Sequence, residues 1–256
     1  MEGLVILRSE SILAEHIYFR GFNGEMIEGY LARALSLQSV GSVVVIHHMP
    51  GFDRSTKEIT RRFAEMGFNA VMPNLNYREG PGASSDDAAA ATRAAGGVPD
   101  DRLIGDVAGA QDLVLSLSNS NGKSGVIGYC SGGRQAVLSA CNIAFNAIVD
   151  CYGAFVVEKP PSEFPLPITS IVDQIPKLSG TLLGLFGADD KYPSPDSVTK
   201  LGEILSEYGK DFDFHSFEGA GHAFFDSSRP SYRFDSANSG WALISKLFTE
   251  KLGDGS

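Results

Sequence analysis

Apolar positions along this chain alternate between two patterns: short continuous runs, and longer stretches in which an apolar residue returns every three or four positions. Residues 42–47 contain Val43-Val44-Val45-Ile46, a β-branched run of the kind that forms a strand buried on both faces. Helical spacing follows, with Ile59, Phe63 and Met66 on one face; Ser55 and Glu58 have capping-box spacing and Gly67 supplies a stop. Residues 68–72 read as the next strand and 101–118 as the next strong helix. Apolar residues at 124–127, a short helix near 134–141 and a strand at 145–151 continue the alternation. Beyond Thr181-Leu182-Leu183-Gly184-Leu185-Phe186, Ser194-Pro195-Asp196 caps a helix with Val198, Leu201, Leu205 and Tyr208 on one face. Phe212 and Phe214 alternate along a last strand, and Ala237, Trp241, Ile244 and Phe248 mark a final helix.

Upstream, residues 15–20 and 26–32 flank the turn signal Asn23-Gly24, which predicts an antiparallel hairpin. Between 156 and 176 the prolines Pro160, Pro161, Pro165, Pro167 and Pro176 predict a long irregular segment, better suited to flanking a site than to linking domains. There is no internal repeat. The whole pattern predicts one α/β domain over residues 1–256, a mostly parallel, doubly wound sheet flanked by helices.

Composition narrows the function classes. The apolar fraction of 43% is enough for a substantial core, and the formal charge of −10 argues against nucleic acid or an anionic membrane as partner. No run approaches the roughly 18 apolar residues of a spanning helix. Glu2, Glu10 and Glu15 fall where a signal peptide needs an apolar block, so the expectation is a cytoplasmic protein, monomer or homodimer. Cys130, Cys141 and Cys151 cannot all pair and lack metal-ligand spacing. The adjacent His47 and His48 could suggest a metal, but the acids needed to complete a site are assigned elsewhere; no metal and no cofactor are expected.

The chemistry is carried by Gly128-Tyr129-Cys130-Ser131-Gly132, which follows an apolar strand and precedes Gly133-Arg134. Strand, sharp turn and helix make a nucleophile elbow, here with cysteine at its tip, and small residues are needed where the turn packs on its neighbours. A bland alternative makes Cys130 a small buried residue at a tight turn. Downstream, an apolar strand runs into Asp189-Asp190, and Gly219-Ala220-Gly221-His222 places one histidine in a glycine-rich loop that could also merely cap the last strand. Nucleophile, acid, base is the chain order of α/β-hydrolases. An ordinary thiol is mostly protonated at neutral pH, so a cysteine nucleophile needs such a base, and the base an orienting acid. Asp189 and Asp190 compete for that last role.

Together, Gly-Tyr-Cys-Ser-Gly-Gly around Cys130, Phe-Gly-Ala-Asp-Asp-Lys-Tyr-Pro-Ser-Pro around Asp190, Gly-Ala-Gly-His-Ala-Phe-Phe around His222 and Asn-Tyr-Arg-Glu-Gly around Arg78 resemble the dienelactone hydrolase (carboxymethylenebutenolidase-like) family, from about residue 21 to 252. The resemblance implies the α/β-hydrolase fold, metal-free hydrolysis of a lactone or small ester, and Asp190 rather than Asp189 as the acid. The oxyanion would meet the backbone N–H of Ser131 and that of Met49, in the loop after the first core strand. Arg78 and His48 are the candidate substrate-binding side chains, with a local Arg78–Glu79 ion pair as the alternative for Arg78. Two positions depart from the family. Its acidic residue in the loop after the first core strand is replaced by histidine, within His47-His48-Met49-Pro50-Gly51, and its second arginine falls at Phe225 or Asp226, with Arg229 and Arg233 following. A thioesterase or acyl hydrolase of the same fold, and a non-catalytic ligand-binding protein, are the other functions open at this point.

Overall fold

The computed structural model describes residues 11–36 and 38–253, so most of the segment relevant to a signal peptide, residues 1–10, lies outside the described residues. Eight strands form one sheet in the order β1-β2-β4-β3-β5-β6-β7-β8. The predicted hairpin is β1 (Ile12–Arg20) and β2 (Met26–Ala34), paired antiparallel around Phe22–Gly24, where Asn23 takes a positive φ of 54°. The remaining strands are parallel: β3 (Val40–Ile46), β4 (Asn69–Pro73), β5 (Ser120–Tyr129), β6 (Ala147–Cys151), β7 (Thr181–Gly187) and β8 (Phe212–Phe217). Chain order reverses at β3, which lies between β4 and β5. In open α/β sheets such a reversal opens a crevice beyond the carboxyl ends of the strands.

Strand alternation divides the core into two layers, because successive side chains point to opposite faces. Val44, Ile46, Val126, Ile148 and Leu182 pack with α3 (Asp100–Leu115), α4 (Ser131–Ala140) and α5 (Pro195–Glu207). Val43, Val45, Ile127, Val149 and Leu183 pack on the other face with α1 (Arg54–Glu65) and α6 (Phe234–Leu252). All four residues of the predicted α6 stripe are buried. Among the described residues, no helix is long and apolar enough to cross a membrane.

Three local expectations change. The capping box of α1 is formed by Asp53 and Thr56, not Ser55 and Glu58. Asp53 is the last extended residue, so its carboxylate accepts the Thr56 N–H at 2.8 Å, whereas Ser55 is already inside the helix and donates its hydroxyl to Asp226. Tyr208 does not join the buried stripe of α5; it is the exposed C-cap. A further helix, α2 (Ser85–Ala94), escapes the apolar pattern because it buries only Ala88, Ala89 and Thr92.

One buried acid stands out behind the elbow. Asp150 in β6 is fully buried, its Oδ1 accepts the Gly153 N–H at 2.7 Å, and its Oδ2 has no partner among the described residues. Burial pushes its carboxyl up to about 7, and the Gly153 hydrogen bond only partly opposes this. The folded protein therefore resists ionisation that the unfolded chain undergoes near pH 4. Stability contributed by the neutral acid should be lost as pH rises from about 4 to about 7. Asp150→Asn should be more stable than the parent by roughly 1–3 kcal/mol above pH 7, with the difference shrinking toward pH 4, as read by urea unfolding across that range. A pH-independent difference would show that Asp150 is not the titrating group.

Candidate active site

At the carboxyl end of β5, Cys130 adopts φ 56° and ψ −121°, and α4 begins at the next residue. That conformation is uncommon for a residue with a side chain and is held here by close packing on every side. A Cβ at Gly128 would overlap the Gly132 carbonyl, and one at Gly132 would come within 2.5 Å of the Ile46 carbonyl. The Cys130 N–H donates to the Cys151 carbonyl at 3.0 Å, and its carbonyl accepts from Gly133 at 2.9 Å. The thiol is thereby turned out of the sheet, half-buried, while Cys141 and Cys151 remain buried.

Two loops meet it. His222 places Nε2 3.0 Å from the Cys130 sulfur and donates from Nδ1 to Asp190 Oδ2 at 2.8 Å. Asp190 is buried, and its other oxygen accepts the Tyr192 N–H at 2.9 Å. Asp189 is exposed on the same turn. Of the two adjacent acids, Asp190 is therefore the one that meets the histidine. The buried ring of Tyr152, which the sequence did not single out, packs edge-on against the imidazole with centroids 5.1 Å apart. Burial alone would lower the His222 pKa, but the hydrogen bonds to Asp190 and Cys130 outweigh it and raise it to about 10.

The loop after β3 runs beside the elbow, since Ile46 pairs with Gly128. It carries Met49, while Ser131 opens α4, whose N-terminus is capped by no side chain. The adjacent histidines of this loop are internally engaged. His47 is buried, donates from Nδ1 to the His48 carbonyl at 2.9 Å and accepts the Leu75 N–H on Nε2 at 3.2 Å. This fixes a neutral tautomer, and burial lowers its pKa to about 4. His48, expected to face substrate, is also buried; its Nε2 lies 3.0 Å from Asp53 and 3.9 Å from Asp226. Among the described residues, no group of three or more His, Cys, Asp or Glu is placed to hold a metal.

A model of the dienelactone hydrolase family matches residues 27–252. The chain belongs to this family of hydrolases. A Synechocystis protein named "Putative carboxymethylenebutenolidase" is 26% identical over 231 residues, covering 88% of this chain and 92% of the relative. An Escherichia coli K12 protein of the same name is 30% identical over 217 residues, covering 82% and 77%. The crystal structure of a "Putative Dienelactone Hydrolase" from Klebsiella pneumoniae superposes with a TM-score of 0.81 at 25% identity, covering 94% of this chain and 99% of that one. The fold is accordingly the α/β-hydrolase fold.

Arg78 is engaged by side chains of the protein itself. Its guanidinium is bidentate to buried Asp106, at 2.7 and 3.0 Å, and its Nε donates to Glu25 at 2.6 Å. The local Arg78–Glu79 pair does not form, because Glu79 pairs with Arg102 at 2.7 Å. Asp106 also accepts the Phe22 N–H at 2.9 Å, so this network ties the hairpin turn to α3. The arginines after His222 serve the loop itself. Arg229 donates to Asp226 at 2.8 Å and to the Met49 carbonyl at 3.2 Å, and Arg233 donates to the carbonyls of Gly219, Pro230 and Tyr232. Asp226 is buried and also accepts from Ser55 and Ser228; burial disfavours its charge, but these bonds hold its carboxyl below the ordinary range.

Two measurements follow from this geometry. The His222 imidazole, followed by NMR, should titrate well above an ordinary histidine, and Asp190→Asn should bring its midpoint down by more than about one pH unit. Because the folded value is the raised one, the stability this histidine contributes is complete below about pH 6.5 and lost as pH rises through about 10. A midpoint unmoved by Asp190→Asn would break the inferred coupling. Arg78→Ala, which strands a buried carboxylate, should cost roughly 3 kcal/mol in denaturant unfolding. Unchanged stability together with a raised KM confined to anionic esters would instead return Arg78 to the substrate.

Proposed function

We propose that this chain opens lactones or cleaves small esters with Cys130 as nucleophile, His222 as base and Asp190 as its orienter. The observation that carries this reading is the continuous chain from sulfur to imidazole to buried carboxylate, at 3.0 and 2.8 Å, with the sulfur on a strained turn at the carboxyl edge of the sheet. Family membership and the names of the relatives support an ester or lactone as the bond attacked.

In the proposed cycle His222 takes the thiol proton and the sulfur attacks the acyl carbon. The oxyanion is met by the backbone N–H groups of Ser131 and Met49. Collapse expels the ring or ester oxygen, which takes the proton back from the imidazolium, leaving a thioester on Cys130. Water, deprotonated by His222, then attacks that thioester and releases the acid and the thiol. For a lactone the net change is addition of one water to give a hydroxy acid. Asp190 keeps the imidazole in the tautomer that presents Nε2 to the sulfur. The cycle needs no cofactor, and the partner it requires is a small-molecule substrate.

Iodoacetamide should abolish activity against esters and lactones with a single adduct at Cys130, located by mass spectrometry. Cys141 and Cys151 are buried and burial raises their thiol pKa values, that of Cys141 to about 11. Inactivation with an adduct at either of them and an intact Cys130 would refute the assignment. His222→Ala and Asp190→Asn should each lower kcat by about 10³- to 10⁴-fold, as in serine triads, and Asp189→Asn far less. A large loss at Asp189 with little at Asp190 would reverse the acid.

A further inference from the structure

Beside the acid end of the Cys130–His222–Asp190 chain lies a cavity of about 230 Å³, enclosed by the irregular segment after β6, the turn after β7 and the start of α5. Its floor is apolar, made by Val156, Phe186, Val198 and Leu201, all buried. Its rim is aromatic. Phe155 stands between Phe164 and Tyr192, with ring centroids 5.0 and 5.5 Å away, and both neighbours leave more than a third of their surface in solvent. Phe155 also takes a positive φ of 63°, a costly conformation for a bulky residue and one that clusters at functional sites.

Two short stretches of chain place the cavity near the reacting groups. Gly153 and Ala154 line it and follow Tyr152 directly, the ring that packs on the His222 imidazole. On the other side Tyr192 lines it while its N–H holds Asp190. Of the polar groups in the wall, Lys159 is exposed to solvent and Ser197 donates its hydroxyl to Glu158 at 2.9 Å. The floor thus offers dispersion and desolvation rather than a charge to bind. A dry cavity of about 150 Å³ is enough for benzene, so this one can take a phenyl ring with a short tether.

We propose that this cavity is a specificity subsite that takes an aryl arm of the substrate while the ester or lactone carbonyl sits at Cys130. The proposal rests on the hydrolase reading above and extends it to a substrate class: neutral esters or lactones bearing an aromatic substituent a few bonds from the scissile carbonyl. Carrying that ring into the cavity removes apolar surface from water, and its worth in kcat/KM should be about 10- to 100-fold.

Hydrolysis of ethyl 3-phenylpropanoate against ethyl acetate, and of γ-phenyl-γ-butyrolactone against γ-butyrolactone, measures the aryl preference directly by pH-stat. The parent protein should favour at least one phenyl member of the two pairs. Val198→Trp, which fills the cavity from α5, should collapse that preference about 10-fold or more. Tyr192→Ala, at an exposed position that keeps the backbone N–H to Asp190, should weaken it without threatening the fold. A separate readout needs no turnover: 3-phenylpropanol added to isotope-labelled protein should shift the methyl resonances of Val198 and Leu201 and should cease to do so in Val198→Trp. Failure of every substrate with the methyl shifts intact would overturn the hydrolase reading and leave the cavity as a binding site. Ester hydrolysis with no phenyl preference, a preference that survives both variants, or shifts absent from Val198 and Leu201 would overturn the subsite and leave the hydrolase reading standing.

Discussion

Everything at the site depends on how closely backbone can approach backbone around the turn at Cys130. Gly128, Gly132, Gly133 and Gly153 each lie against main chain or a buried carboxylate where a Cβ has no room. That contact lets β5 end, reverse and start α4 within one residue, and it keeps Cys130 at a positive φ that costs on the order of 1–3 kcal/mol. The same contact places the neighbouring parts. Gly132 abuts the carbonyls of Ile46 and His47, which sets the loop carrying Met49 beside the sulfur, and Gly133 abuts Asp150 and Gly153, which sets the segment leading from Tyr152. One alanine at any of these positions would displace several elements at once, because none of the opposing atoms is the free end of a flexible side chain.

Around that fixed point, the loops at the carboxyl edge are joined by carboxylates. Asp226 gathers Ser55, Ser228 and Arg229 and lies near His48; Asp53 caps α1 and holds His48; Asp106 takes Arg78 and the Phe22 N–H. At two places along these loops the family resemblance led one to expect an acid and an arginine. A histidine of the His47-His48 pair and either Phe225 or Asp226 stand there, and His48 and Asp226 approach each other at 3.9 Å. Arg229 links Asp226 to the loop after β3, since it grips Asp226 and donates to the carbonyl of Met49.

Much of this was legible because it is local or periodic. The β-branched run before His47, the glycines around Cys130 and the apolar spacing of α6 each specify their element with little help from the rest of the chain. The hairpin at Asn23-Gly24 is legible for the same reason. What escaped was decided by partners distant in sequence. Asp53 displaced Ser55 as the cap because the turn enters α1 two residues earlier than Ser55, a geometric fact that composition does not carry. Arg78 reads as a binding residue or as half of a pair with its neighbour Glu79; the partner it meets is Asp106, 28 positions away on α3. Tyr152 had no motif at all, yet its position one residue past β6 puts its ring on the imidazole.

The pairing of the arginines bears on how a substrate could be recognised. Three N–H groups of Arg78 are spent on Asp106 and Glu25, and Arg229 is partly neutralised by Asp226. Acids exceed bases by ten over the whole chain, so the long-range field disfavours approach of a multiply charged anion. On the proposed reading, the arginines so paired have little charge left over for a substrate at Cys130. Apolar burial is the source of binding energy that remains, and the cavity beside Asp190 is where the described structure supplies it. On the proposed reading the two features are complementary: arginines taken up in holding the loops leave selectivity to the aromatic rim of Phe155 and Tyr192, the former backed by Phe164 and held at a positive φ.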